Sequence, residues 1–255
     1  MNFATGLSGF VGSHLSKKLD IIGIPHDKIP TTQIKQLDNF FFLSAYGNMA
    51  FHTEDEKIIK ANITDLVDII LTTSKLNFKS FVYISTSSVN LKNQTMYSRT
   101  KKAGEEILLS FMEKYHLPIA IIRPFSITGV GEQKEHLIPT LIRSCYTGEQ
   151  VNFVQEPVHD FIDVEDVVDG IINLSQNSAR GIFELGSGKQ YSNSQVLDIV
   201  EKVTGKKANI NFVPKLRDYD SENWVSTNFK SRGWGWMPTK SLEQSITEMV
   251  EAYND

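Results

Sequence analysis

The sequence has only one cysteine, Cys145, in 255 residues. That excludes an internal disulfide and fits a reducing cytoplasm. Nor is there a cluster of metal-binding side chains. The six histidines stand at 14, 26, 52, 116, 136 and 159, without metal-ligand spacing. Basic residues are not in excess, with 26 against 30 acidic and a net charge of −4, so no basic face argues for nucleic acid or an anionic membrane. Long apolar runs are missing too. The densest aromatic cluster, Phe40-Phe41-Phe42, sits in a stretch too short to span a bilayer. No charged segment followed by an apolar one opens the chain, so no signal peptide is expected. What remains, with 40% hydrophobic and 22% charged residues, is an ordinary globular composition. Its length suits one large α/β domain or two interleaved lobes.

Apolar runs alternate with helical segments. Met1–Ala4, Ile21–Ile24, Phe40–Ser44, Phe81–Ser85 and Ile119–Arg123 read as strands, the last stopped by Pro124. They are apolar nearly throughout, as parallel strands covered on both faces are. Val11–Leu19, roughly Glu56–Leu76 and Tyr97–Tyr115 read as helices between them. Alternation of this kind predicts a doubly wound parallel sheet with right-handed crossovers. After Pro124 the pattern is less regular, which suits a smaller lobe. Near the end, Leu242, Ile246, Met249 and Val250 are spaced as one apolar face of a helix.

Directly after the first strand the chain reads Thr5-Gly6-Leu7-Ser8-Gly9-Phe10-Val11-Gly12. Glycines at these three positions let the backbone turn tightly, approach a pyrophosphate and pack the helix on the strand. The free N–H groups that open the next helix can then face phosphate. Such a turn is also an ordinary strand-to-helix connection, and its position at the start of an alternating α/β chain favours the phosphate reading. An acidic residue for the adenosine ribose is expected about 20 residues on. Asp27 has roughly that spacing, but Pro25 competes for the position and Asp27 also reads as a solvated turn residue. Lys28 or His26 would instead face a 2′-phosphate, so NAD and NADP both stay open, with a slight preference for NAD.

Tyr97 and Lys101 stand four apart on a predicted helix and so share a face. A free tyrosine ionises near pH 10, and a nearby ammonium favours its phenolate. Lys101 can supply that charge and also hold ribose hydroxyls. Thr86, just past a strand, is placed to orient a substrate hydroxyl or carbonyl for Tyr97. Singly these are common features of helix surfaces and capping loops. Their combination with the glycine turn is specific.

This combination resembles the extended short-chain dehydrogenase/reductase superfamily, in its branch of nucleotide-sugar epimerases and dehydratases. Thr5–Leu15 is similar to the family's glycine motif, Leu43-Ser44-Ala45 to its Leu-Ala-Ala segment beside the cofactor, and Ile84–Val89 to its catalytic strand end. Asn62 and Arg123-Pro124-Phe125 also resemble family positions, as do His159–Asp166, Gly181–Gly188 and Gly233–Pro238. The resemblance implies a Rossmann-like domain over residues 1–125 with a returning segment near 158–178, and a substrate lobe from 126–157 and 179–255. It implies an enzyme with Thr86, Tyr97 and Lys101 as catalytic residues. Gly6, Leu7, Ser8, Gly9, Phe10, Val11, Gly12, Asp27, Ala45, Arg123 and Pro124, together with Tyr97 and Lys101, would meet the cofactor, and Ser87, His159 and Arg217 the substrate. A nucleotide sugar as substrate, a cytoplasmic homodimer paired through the helices at 56–76 and 97–115, and no metal complete the expectation.

The chain departs from the family pattern in places. Little room is left for a third strand before Phe40, and only ten residues separate Thr86 from Tyr97. Asn90-Leu91 stands for the usual Tyr-Gly, and His159 for an arginine, although an imidazole cannot replace a planar cationic fork. Ser87 and Ser88 follow Thr86 where a dehydratase carries an acidic pair, which favours epimerase or 4-keto reductase. The shortened loops also admit a cofactor-binding sensor or scaffold without turnover. Retention of Thr86, Tyr97 and Lys101 together argues for catalysis. Phe153, Phe161, Trp224 and Trp234 read as core aromatics sooner than as stacking platforms.

Overall fold

Asn2–Thr5 forms the first strand, β1, and four further strands of the main sheet, β2 to β5, run parallel to it. The structure, a computed structural model, describes residues 1–31, 33–49, 51–214 and 223–254. In chain order β1 is followed by α1 (Phe10–Lys18), β2 (Ile22–Ile24), a 3₁₀ turn (His26–Thr31), β3 (Asn39–Phe42) and α2 (Asp55–Ile59). A single π turn (Lys60–Thr64) leads to α3 (Asp65–Thr73), and then come β4 (Ser80–Ile84), a 3₁₀ turn (Ser87–Asn90), α4 (Met96–Tyr115) and β5 (Ile119–Pro124). The rest comprises β6 (Ser126–Thr128), α5 (Leu137–Thr147), β7 (Val151–Phe153), β8 (Val158–Asp163), α6 (Val164–Gln176), β9 (Gly181–Leu185) and β10 (Gln190–Ser192). It closes with α7 (Asn193–Thr204), β11 (Ile210–Phe212), α8 (Phe229–Gly233) and α9 (Leu242–Asn254).

The chain divides into two compact units. The first contains Met1–Pro124, Val168–Glu184 and Phe229–Trp236; the second contains Phe125–Val167, Leu185–Asn228 and Met237–Asp255. The main sheet has the strand order β2-β1-β3-β4-β5-β9. Its central strands are the apolar runs seen in the sequence. Phe40, Phe42, Phe81, Tyr83, Ile119 and Ile121 are all fully buried, with Phe40 and Phe81 stacked at 5.2 Å. Each such side chain contributes about 1.5–3 kcal/mol by leaving water. Leu66, Ile69 and Ile70 of α3 and Leu108 and Met112 of α4 pack into the same cluster. Helix α4 starts at Thr95, whose side chain accepts from the N–H of Ser98 at 3.2 Å, and stops at His116 in the left-handed region. Its cap therefore fixes where Tyr97 stands, one residue inside the helix.

Where the sequence predicted one helix over Glu56–Leu76, the structure has α2, the π turn and α3 in succession. The π turn carries Asn62, fully buried. Its side chain accepts from the N–H of Tyr46 at 3.1 Å and donates to the Tyr46 carbonyl at 2.9 Å and the Thr100 hydroxyl at 2.9 Å. A single amide thus ties the segment after β3 to α4.

The second unit has its own core, formed by α5, α7 and α9 around Phe153 and Phe161. Both aromatics are buried there, as core residues should be. Leu242, Ile246, Met249 and Val250 join them from α9. Asp160 of β8, almost fully buried, accepts from the backbone and side chains of Ser187 and Ser226 and from the Gly188 N–H.

Candidate active site

The turn from β1 into α1 is built around two glycines that nothing else could replace. Gly6 has φ +74°, and a Cβ there would lie 2.8 Å from the Ser44 nitrogen. A Cβ on Gly12 would lie 2.2 Å from the Gly6 carbonyl oxygen and 2.6 Å from the Leu7 Cα. Gly9 closes the turn by donating its N–H to the Gly6 carbonyl at 3.1 Å and caps α1 without any side chain. The result is a backbone cradle under a cavity of about 770 Å³. Gly6, Leu7, Ser8, Gly9 and Ala45 line that cavity. Phe10, Val11 and Gly12 lie behind it in α1; Phe10 packs edge-on against His14.

Asp27 does not line the cavity. Pro25 at the end of β2 and His26 take that wall, and the 3₁₀ turn carries Asp27 outward, its side chain 74% exposed and 3.6 Å from Lys28 Nζ.

On α4, Tyr97 is half-buried and Lys101 is fully buried. Lys101 Nζ lies 4.1 Å over the ring of Tyr83, a cation–π contact, and has no hydrogen-bond partner among the described residues. Burial pulls its ammonium down from 10.5 to about 7, against the carboxylate of Glu105, which pulls it up. Burial also pushes the Tyr97 phenol up to about 12. Lysine was expected to lower the tyrosine; desolvation instead drives both groups toward their neutral forms. Burial also raises the Tyr83 phenol, with Tyr97 and Glu105 adding to the effect.

Thr86 lies two residues past the end of β4 and caps the short 3₁₀ turn that follows. Its hydroxyl accepts from the Ser88 N–H at 3.2 Å and lies 3.0 Å from the Ser88 hydroxyl, which lies 2.8 Å from that of Ser98. This hydroxyl chain laces the Thr86 turn to the first turn of α4, beside Tyr97. Ser87 is buried within the same turn.

Arg123 does not offer its guanidinium to a ligand. Its Nε and Nη2 grip the fully buried Glu105 at 2.9 and 2.5 Å, and Nη1 donates to Asn90 at 3.2 Å. Ser85 donates to the same carboxylate at 2.5 Å. The bidentate fork neutralises a buried charge, and it leaves Pro124 as a buried strand end. Glu105 and Tyr83 are the residues the sequence reading missed. Glu105 continues the 97–101–105 face of α4 and was legible there; Tyr83 looks like any core aromatic.

In the second unit His159 is half-buried. Its Nδ1 is 3.3 Å from the Ser126 hydroxyl, and its ring tilts against Phe161 at 5.7 Å and Trp224 at 5.1 Å. Arg217 lies outside the described residues. Trp234, 40% exposed, packs edge-on against Phe183 in the first unit. No group of metal-binding side chains occurs among the described residues, and none of their helices is long and apolar enough to cross a membrane.

A parallel sheet with a glycine cradle at the first strand's end, a cavity above it and a buried lysine one turn after a tyrosine defines a Rossmann-type dinucleotide fold. The chain belongs to the NAD dependent epimerase/dehydratase family, whose profile matches residues 30–186. It is similar to the uncharacterized UDP-glucose epimerase YtcB of Bacillus subtilis, with 22% identity over 303 aligned positions, covering 96% of this chain and 95% of that one. That alignment is longer than the chain itself, so the relative carries segments missing here. A UDP-glucuronate 4-epimerase of Thermodesulfobacterium geofontis is 24% identical over 75% of this chain and 64% of its own. Among solved structures, the UDP-glucuronic acid 4-epimerase from Bacillus cereus in complex with UDP-glucuronic acid and NAD superposes with a TM-score of 0.88, at 19% identity over 99% of each chain.

Proposed function

We propose that this chain is an NAD(P)-dependent enzyme acting on a nucleotide sugar, as an epimerase or a 4-keto reductase. The observation that carries the reading is Lys101: a fully buried ammonium-bearing side chain without an acceptor among the described residues, on the same helix face as Tyr97. A buried polar group without a partner is costly unless a ligand completes it. Ribose hydroxyls would do so.

The residues fit a dinucleotide. The Gly6–Gly9 turn would hold its pyrophosphate on backbone N–H groups, Ala45 would border it, and Lys101 would hold the nicotinamide ribose. When bound, that cofactor supplies a hydride acceptor and donor for a sugar carbon. Tyr97 moves the proton. Its phenol, which burial keeps protonated, gives a proton to the alkoxide as a ketone is reduced, and its phenolate takes the hydroxyl proton in the reverse direction. Thr86 donates its hydroxyl to the sugar oxygen while its own oxygen stays anchored by Ser88. Glu105 and Arg123 act one layer back, as positioning residues that fix β5 and the end of β4 to α4. Asp27 is not assigned to the cofactor. Ser87, His159 and Arg217 are assigned to the substrate side.

The relatives named as UDP-glucose and UDP-glucuronate epimerases support the nucleotide-sugar class and favour epimerisation, and the similar fold solved with NAD supports that cofactor. A cytoplasmic homodimer paired through α2–α3 and α4 completes the proposal; a monomer by sedimentation equilibrium would contradict the dimer. Nucleotide retained through purification and released on denaturation is expected of an epimerase, which recycles its cofactor. Absence of bound nucleotide, together with oxidation of added NAD(P)H by a 4-keto sugar nucleotide, would assign the reductase.

A further inference from the structure

Lys101 is held in an unusual way for a buried cation. Its Nζ lies 4.1 Å from the centre of the Tyr83 ring, over the face where the π-system is negative, and has no hydrogen-bond partner among the described residues. Both side chains are fully buried. Tyr83 stands on β4, and its hydroxyl is seated against α4. It donates to the Lys101 carbonyl at 3.4 Å, and a Cβ on Gly104 would lie 2.5 Å from the phenol oxygen. A glycine inside a 20-residue helix weakens that helix; here its missing side chain is what admits the phenol beside Lys101. The carboxylate one turn further along does not take the lysine. Glu105 Oε1 accepts from Ser85 at 2.5 Å and from Arg123 Nε at 2.9 Å, while Oε2 accepts from Arg123 Nη2 at 2.5 Å and lies 3.5 Å from Lys102 Nζ.

We infer that Tyr83 is a positioning residue for Lys101: its ring face fixes the ammonium without supplying an acceptor, which keeps the N–H donors for the ribose hydroxyls. The inference rests on the dinucleotide reading of the site. A free carboxylate in the same place would lock the lysine into an ion pair that a ligand must break, as Arg123 is locked by Glu105. An aliphatic side chain would leave the buried charge uncompensated. The aromatic face lies between the two, and its attraction is worth about three- to tenfold in an equilibrium constant.

The test changes the charge distribution of the ring while keeping its shape. Tyr83→Phe and Tyr83→pentafluorophenylalanine, the second introduced by codon suppression, are titrated as full chains with NADH, read by energy transfer from tryptophan. Tyr83→Phe keeps the negative face and should bind NADH within about twofold of the parent. The fluorinated ring reverses the sign of its face and should bind about three- to tenfold more weakly. Tyr83→Leu, which has no face, is a second route to the same loss, with thermal melting to show that each variant is folded. In a Lys101→Met background the difference between the two rings should vanish, because the ring acts through the lysine. Equal affinity for the two rings, a loss in Tyr83→Phe as large as in the fluorinated variant, or a difference that survives in Lys101→Met would overturn the role of the face and leave the dinucleotide reading standing. A parent that binds neither NADH nor NADPH would overturn the dinucleotide reading, and this inference with it.

Discussion

Replacing Lys101 with methionine separates what this side chain does for function from what it costs the fold. The lysine is fully buried, its Nζ lies over the face of Tyr83, and burial pulls its ammonium from 10.5 to about 7. Between those two values the unfolded chain holds a proton that the folded protein has given up. Stability therefore rises with pH across that window, by about 1.4 kcal/mol per unit. Below the window both states are protonated and the full penalty stands; above it both are neutral. At neutral pH the penalty is on the order of 4 kcal/mol. Methionine has nearly the same length and no charge, so Lys101→Met should stabilise the cofactor-free protein by about 2–4 kcal/mol at pH 7. The gain should shrink toward pH 10. Urea unfolding of both proteins, followed by tryptophan fluorescence from about pH 6 to about pH 9, reads the difference directly. A variant less stable than the parent at neutral pH, or a gap that does not change with pH, would refute the reasoning. The same variant should bind dinucleotide more weakly, because the group that meets ribose is gone.

Three further outcomes follow from the geometry. Gly12→Ala puts a methyl 2.2 Å from a carbonyl oxygen and should cost about 3 kcal/mol or more in chemical denaturation, with dinucleotide binding lost. Glu105→Gln removes the charge that holds the Lys101 ammonium up, so the pH window in which stability rises should extend to lower pH; Glu105→Ala should also strand Arg123 and destabilise by about 3–5 kcal/mol, a loss a double Glu105→Ala, Arg123→Met variant should partly recover. Asn62→Ala leaves the Tyr46 backbone and Thr100 without their buried partner, and about 2–3 kcal/mol of stability should go with it in the same assay.

The sheet and the cradle were legible because their signals are local. An apolar run and a glycine turn directly after it each announce themselves within a few residues. The π turn at Lys60–Thr64 was not, because one extra residue inside a helical stretch changes which side chains are buried without breaking the apolar pattern around it. Asn62 is the residue that turn brings inward. Arg123 was read as a cofactor contact through the resemblance of Arg123-Pro124-Phe125 to the family segment; the carboxylate that claims it lies 18 positions away on α4, a pairing that only the fold creates. Asp27 had the right spacing, yet Pro25 takes the cavity wall and the turn after it points Asp27 outward. The Tyr97–Lys101 spacing was plain, but the direction in which their ionisation moves depends on burial, which spacing does not report.

The central claim is that Tyr97 moves the proton in a hydride-transfer reaction on a nucleotide sugar. The most direct measurement loads the protein and its Tyr97→Phe variant with oxidised dinucleotide, mixes each with UDP-glucose or UDP-glucuronate, and follows the near-ultraviolet absorbance of reduced nicotinamide together with the appearance of the C4 epimer. The parent should show both signals. The variant should bind the cofactor with nearly unchanged affinity and lose turnover by a factor on the order of 10²–10⁴. Equal turnover in the two proteins, or cofactor bound by the parent with no reduction by any nucleotide sugar, would contradict the account.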